Sequence, residues 1–96
     1  MHAVTRSYSG RGANELFDRI AAASDEVEAL LRGVKGFVSY TLFRTEDGGV
    51  TVTVCQDKEG TDESVRVARD WVAANASDTG AGAPTVIEGP VGMYVS

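Results

Sequence analysis

Catalysis near neutral pH usually draws on a histidine, a nucleophile beside a base, or a cluster of metal-binding side chains, and this chain of 96 residues offers little of each. Its one histidine, His2, lies at the start of the sequence, where a side chain is seldom held in a catalytic geometry. Cys55 stands in an alternating stretch with no cation beside it in sequence, so a buried, inert thiol is expected. Asp57, Glu59, Asp62 and Glu63 gather where a helix should begin, and carboxylates there meet the helix dipole favourably without any need of a metal. Gly10-Arg11-Gly12 and Gly80-Ala81-Gly82 lack the strand and helix that must flank a dinucleotide-binding loop, and read as turns.

The remaining candidates suit binding better than bond breaking. Trp71 borders the apolar stripe of a helix, where it either packs on a sheet or forms a flat wall for an aromatic ligand. Tyr8, Tyr40 and Tyr94 each join an apolar ring to a hydrogen-bonding tip, a combination that fits a phenolic or quinone ligand and equally fits cross-strand packing. Trp71, Tyr40 and Tyr8 are the residues assigned to ligand binding. No catalytic residue, metal ligand or cofactor is assigned.

The elements that must position these side chains centre on Gly36–Gly60, GFVSYTLFRTEDGGVTVTVCQDKEG. Phe37–Thr45 is rich in aromatic and β-branched residues, Val50–Asp57 alternates valine with small polar residues, and Glu46-Asp47-Gly48-Gly49 supplies the Asp-Gly pair of a hairpin turn, in which glycine tolerates φ > 0. Before it, His2–Ser9 alternates with period two and puts Val4, Arg6 and Tyr8 on one side. Leu16, Ile20, Ala23, Val27, Leu30 or Leu31 and Val34 then recur at helical spacing, which predicts one amphipathic helix over about Ala13–Leu31, with a possible break at Ser24-Asp25. Gly33 and Gly36 end it.

After the hairpin, Val65, Ala68, Val72 and Ala76 predict a second helix over about Asp62–Ala76. Ser77–Pro84 reads as a loop. Thr85–Ile87 and Val91–Val95 predict a last strand broken near Pro90, which cannot donate a ladder hydrogen bond.

The order β-α-β-β-α-β is that of an α+β, ferredoxin-like domain spanning residues 1–96, an antiparallel sheet with both helices on one face. The other face should be bare. Val38, Tyr40 and Leu42 are grouped with Val50, Val52 and Val54 on one surface, and Ser39, Thr41, Thr51, Thr53 and Cys55 with Phe37 and Phe43 on the other. Neither surface carries the charge that water would favour, so a second copy of the chain is the expected cover.

Bulk composition narrows the partners. The net charge of −5, with scattered arginines, argues against nucleic acid. No stretch approaches the length of a membrane span, and a lone cysteine with no apolar leader fits a reducing cytoplasm.

Val34-Lys35-Gly36-Phe37, SYTLFRTEDGG, VTVTVCQDKEG and DESVRVARDWV together resemble the antibiotic biosynthesis monooxygenase-like group of dimeric α+β barrel proteins, and the resemblance covers nearly the whole chain. It implies a homodimer with a pocket between sheet and helices in each subunit. Members of that group oxidise polycyclic phenols without metal or flavin, or open the haem ring with the help of a pocket histidine. No histidine stands in or near the second helix here. The resemblance therefore implies a small protein whose moderately apolar pocket takes an aromatic or apolar metabolite, or alternatively a cofactor-independent monooxygenase of phenolic or quinone-type substrates. A structural or regulatory dimer without ligand is the third expectation.

Overall fold

The computed structural model describes residues 1–96. Four strands, β1 (His2–Ser9), β2 (Phe37–Thr45), β3 (Gly48–Cys55) and β4 (Thr85–Pro90), form one antiparallel sheet in the order β2-β3-β1-β4. Three α-helices cover one face: α1 (Ala13–Ala22), α2 (Ser24–Arg32) and α3 (Lys58–Asn75). This is the expected α+β, ferredoxin-like arrangement, with three helical segments in place of two.

The first helix is broken at Ala23, whose φ of −111° and ψ of 27° leave helical geometry. The break falls one residue before Ser24-Asp25, and no side chain caps the new helix. Asp25 and Glu26 in its first turn favour the new N-terminus electrostatically. The two halves pack unequally: α1 buries Ala13, Leu16, Phe17 and Ile20, whereas α2 fully buries only Leu31.

Helix α3 begins four residues earlier than the periodicity predicts, because Asp57 caps it by accepting a hydrogen bond from the Gly60 N–H at 3.0 Å. Glycine is needed at position 60, where a Cβ would lie 2.8 Å from the Cβ of Cys55 and 2.9 Å from the Lys35 carbonyl. Beyond α3 the loop opens with a turn of 3₁₀ helix, Ser77–Thr79, which Arg19 ties down by an ion pair with Asp78 at 2.7 Å. The last strand ends at Pro90, and Val91–Val95 does not continue it. No helix is long and apolar enough to cross a membrane.

The hairpin forms with a two-residue turn, Glu46-Asp47, and Thr45 pairs with Gly48. Its glycines serve close packing, since neither Gly48 nor Gly49 has positive φ. A Cβ on Gly49 would stand 2.3 to 2.8 Å from three atoms of the Phe17 ring, and one on Gly48 would stand 2.0 Å from the Tyr8 carbonyl oxygen.

The grouping of side chains across the hairpin is corrected by the register. An even-numbered turn sets even residues opposite odd ones, so Tyr40 faces Thr53, Leu42 faces Thr51, Thr41 faces Val52 and Phe43 faces Val50. The threonines of VTVTV therefore lie under the helices, and its valines lie on the bare face. An irregularity between Phe37 and Ser39 inserts one residue into β2 and moves Phe37 to the side of Cys55, away from Phe43. The bare face carries Val50, Val52, Phe43 and, from β4, Ile87, of which Phe43 is 49% and Ile87 66% exposed.

Candidate functional site

Alternation along β1 places Val4, Arg6 and Tyr8 on the helix side, and all three are buried. Tyr40 comes onto the same side from β2, and Thr51 and Thr53 from β3. Above them, Ile20 of α1, Val27 and Leu31 of α2, and Trp71 of α3 form a roof. Between roof and floor remains a partly open cavity of about 30 Å³, room for roughly two water molecules, whose rim includes the exposed Leu30. Ile20, Val27, Leu31 and Tyr40 also line a wider groove of about 570 Å³, which runs between the α1–α2 corner and the edge strand β2. The cavity and the groove thus share walls.

All three residues assigned to ligand binding from the sequence, Trp71, Tyr40 and Tyr8, line this one cavity. Trp71 is only 8% exposed and belongs to the core cluster with Leu16, Phe17 and Ile20, so it packs and lines the cavity at once. Its indole N–H donates to Glu26 of α2 at 3.1 Å, joining the two helices that roof the site. Tyr8 meets Phe17 edge to face with ring centroids 5.8 Å apart, which links the cavity floor to the packed core. Tyr94 stands elsewhere, on the exposed segment after β4.

The residue that sequence reasoning passed over is Arg6. It is 8% exposed, its Nη2 donates to the Tyr8 hydroxyl at 2.6 Å, and its guanidinium lies 5.5 Å from the centre of the Tyr8 ring. Its Nε is buried with no hydrogen-bond partner. The signal was present in the alternation that groups Arg6 with Val4 and Tyr8, because a charge on the apolar side of a strand asks for a partner.

The site's electrostatics follow from burial around this one charge. Burial pushes the Tyr40 phenol up to about 12, against the pull of Arg6, and it also raises the Tyr8 phenol against the same pull. Both are neutral hydroxyls at physiological pH. Thr51, Thr53 and Ser64 add further hydroxyls, and no aspartate, glutamate or histidine lines the cavity. The site is therefore rich in hydrogen-bond donors and has no side chain that titrates near neutrality.

The other candidates are accounted for locally. Cys55 is fully buried, and burial raises its thiol. His2 is held within β1, its Nδ1 2.9 Å from the Thr61 hydroxyl, and it lines neither the cavity nor the groove. Asn75 ends α3 and donates from its side chain to the Trp71 carbonyl at 3.0 Å. The carboxylates at the start of α3 form no metal-binding group: Asp57 caps the helix, and Asp62 pairs with Lys58.

No family model and no curated protein matches this chain. Solved structures do. The chain is similar to the haem-degrader MhuD from Mycobacterium tuberculosis, solved with two haems bound in its active site, at 21% identity and a TM-score of 0.65 over 99% of this chain and 98% of that one. It is similar to the monooxygenase ActVA-Orf6 from Streptomyces coelicolor, solved with the ligand nanaomycin D, at 20% identity and a TM-score of 0.60 over 99% and 90%. A dimeric ferredoxin-like protein from an uncultured marine organism matches at 10% identity and a TM-score of 0.65 over 99% and 95%. The resemblance to antibiotic biosynthesis monooxygenase-like proteins thus holds over the whole chain, at the level of the fold. The residues of this cavity do not fit a haem: none of those lining it is a histidine, cysteine or methionine, and burial keeps the two tyrosines, Tyr8 and Tyr40, protonated and so unsuited to holding the iron as phenolates.

Proposed function

We propose that this protein binds a small aromatic or otherwise apolar metabolite between its sheet and helices, and does so as a homodimer. The observation that carries the reading is the convergence of Trp71, Tyr8 and Tyr40 from three separate elements on one cavity that a filled core would have closed. A ligand would enter through the groove beside β2 and reach the cavity by displacing α2, which fully buries only Leu31. Titration of the protein with planar aromatic compounds, read by Trp71 fluorescence, tests the reading. Saturable quenching is expected, and a wild-type protein unresponsive to the whole panel argues for a structural dimer without ligand.

The dimer reading rests on the bare sheet face, where β3 turns its valines outward beside Phe43 and Ile87. Light scattering at micromolar concentration should give twice the chain mass, and Phe43→Lys should shift it toward a single chain. A concentration-independent monomer overturns this part alone.

A second reading, a cofactor-independent monooxygenase of phenolic or quinone-type substrates, draws on the fold shared with ActVA-Orf6. In it the neutral Tyr8 and Tyr40 hydroxyls would orient a substrate oxygen while the substrate supplies electrons to dioxygen. Oxygen uptake that depends on such a substrate, without added metal or flavin, separates this enzyme from a binder.

A further inference from the structure

We infer that the ligand of this cavity is an anion, an apolar or aromatic molecule carrying an oxyanion that pairs with Arg6. The inference rests on the reading of the cavity as a binding site and specifies what that site selects. Of the seven arginines, Arg19, Arg32, Arg44 and Arg66 are in ion pairs with carboxylates, and Arg11 and Arg69 are exposed to water. Arg6 alone is both buried and without a carboxylate within 4.0 Å. In a chain with fourteen acidic and nine basic side chains, a structural arginine would have carboxylates to choose from, yet none lines the cavity.

An isolated buried cation is unfavourable unless something compensates it, and the Tyr8 ring and hydroxyl do so only in part. The Tyr8 oxygen already accepts from Arg6, which leaves its own proton to donate, and Tyr40 presents a second neutral hydroxyl at the same wall. Arg6, Tyr8 and Tyr40 thus offer a cation and two hydroxyl donors with no carboxylate among them, as recognition of a carboxylate or an acidic enol or phenol requires. The apolar roof of Ile20, Val27, Leu31 and Trp71 fits the remainder of such a molecule.

The test uses matched probes, benzoate and 2-naphthoate against benzamide and 2-naphthamide, with wild type, Arg6→Met and Arg6→Lys. Wild type should prefer each carboxylate over its amide by at least tenfold. Arg6→Met should bring that ratio near one while still binding the amides, and Arg6→Lys should retain part of the preference. Equal affinity for carboxylate and amide in wild type, or an undiminished preference in Arg6→Met, overturns the inference and leaves the binding reading intact. Failure of all four probes to bind wild type counts against both. A readout without ligand stands beside this: an arginine kept for an anion is dispensable to the empty fold, so Arg6→Met should melt at or above the wild-type temperature. Its melting well below wild type, or failing to fold while Arg6→Lys folds, makes Arg6 a structural residue and overturns the inference.

Discussion

The two halves of the helix-covered sheet face are built on opposite rules. Beneath α1 the strands supply glycines, so that Phe17 sits directly on the backbone at Gly49 and Tyr8 closes against its edge. Beneath α2 and the second half of α3 the same strands supply Arg6, Thr51, Thr53 and Tyr40, and the helices stand off far enough to leave a cavity. Close approach of backbone to ring fixes one half. In the other, polar side chains hold space open, and a helix with one fully buried residue closes it. A small domain can thus keep a rigid core and an adaptable site on a single sheet, because the cost of an imperfectly filled region is confined to one end.

The sharpest test of this contrast sets Phe17→Ala against Trp71→Ala. Phe17 is completely buried, and its loss should cost about 3–5 kcal/mol. Trp71 is larger but already borders empty space, so its loss should cost less, about 2–3 kcal/mol, while abolishing binding of planar ligands. Chemical denaturation measures both, and a Trp71 variant as unstable as the Phe17 variant would erase the distinction between the halves.

Gly49→Ala probes the packed half from the backbone side. Its Cβ collides with a ring that has nowhere to go, and a loss of about 1–3 kcal/mol is expected from a single methyl group.

The cavity half should reveal itself in alkali. Tyr40 and Tyr8 hold their protons to higher pH in the fold than in the unfolded chain, so their contribution is whole below pH 10. It is lost as pH rises from 10 toward about 12, the folded value of Tyr40. The Tyr40 proton alone removes about 1.4 kcal/mol per pH unit in that window, and Tyr8 adds to the loss in the same direction. Urea melts across the range check the slope, and a flat profile would mean that Tyr40 is open to water. The smallest effect is expected in hydrogen exchange, where amides of α2 should exchange faster than those of α1 by local opening that leaves global stability unchanged.

Much of this was legible in the sequence, and what was not has physical reasons. Strands and helices showed because period two and period 3.6 are written in side-chain type. The pairing of Tyr40 with Thr53 did not, because composition alone groups valines with a tyrosine, whereas the parity of the turn groups threonines with it. The break at Ala23 lies one residue from the expected place but rests on backbone geometry with no capping side chain. Trp71, Tyr40 and Tyr8 were found by type. Arg6 does not stand out by clustering, a measure suited to nucleic acid; its signal lies in the side of its strand that it occupies, between Val4 and Tyr8.

The sheet order carries a consequence for how the chain acquires its fold. β1 ends between β3 and β4, so the first strand to be synthesised receives one neighbour after the hairpin is made and the other only when Thr85–Pro90 has emerged. Such distant pairing slows folding and leaves β1 with an open row of backbone donors and acceptors in the meantime. Along the apolar side of that waiting strand, between Val4 and Tyr8, stands a positive charge. Inward-pointing charges are one of the devices that keep an unpaired edge from joining another chain, and until β4 arrives Arg6 occupies such a position on β1.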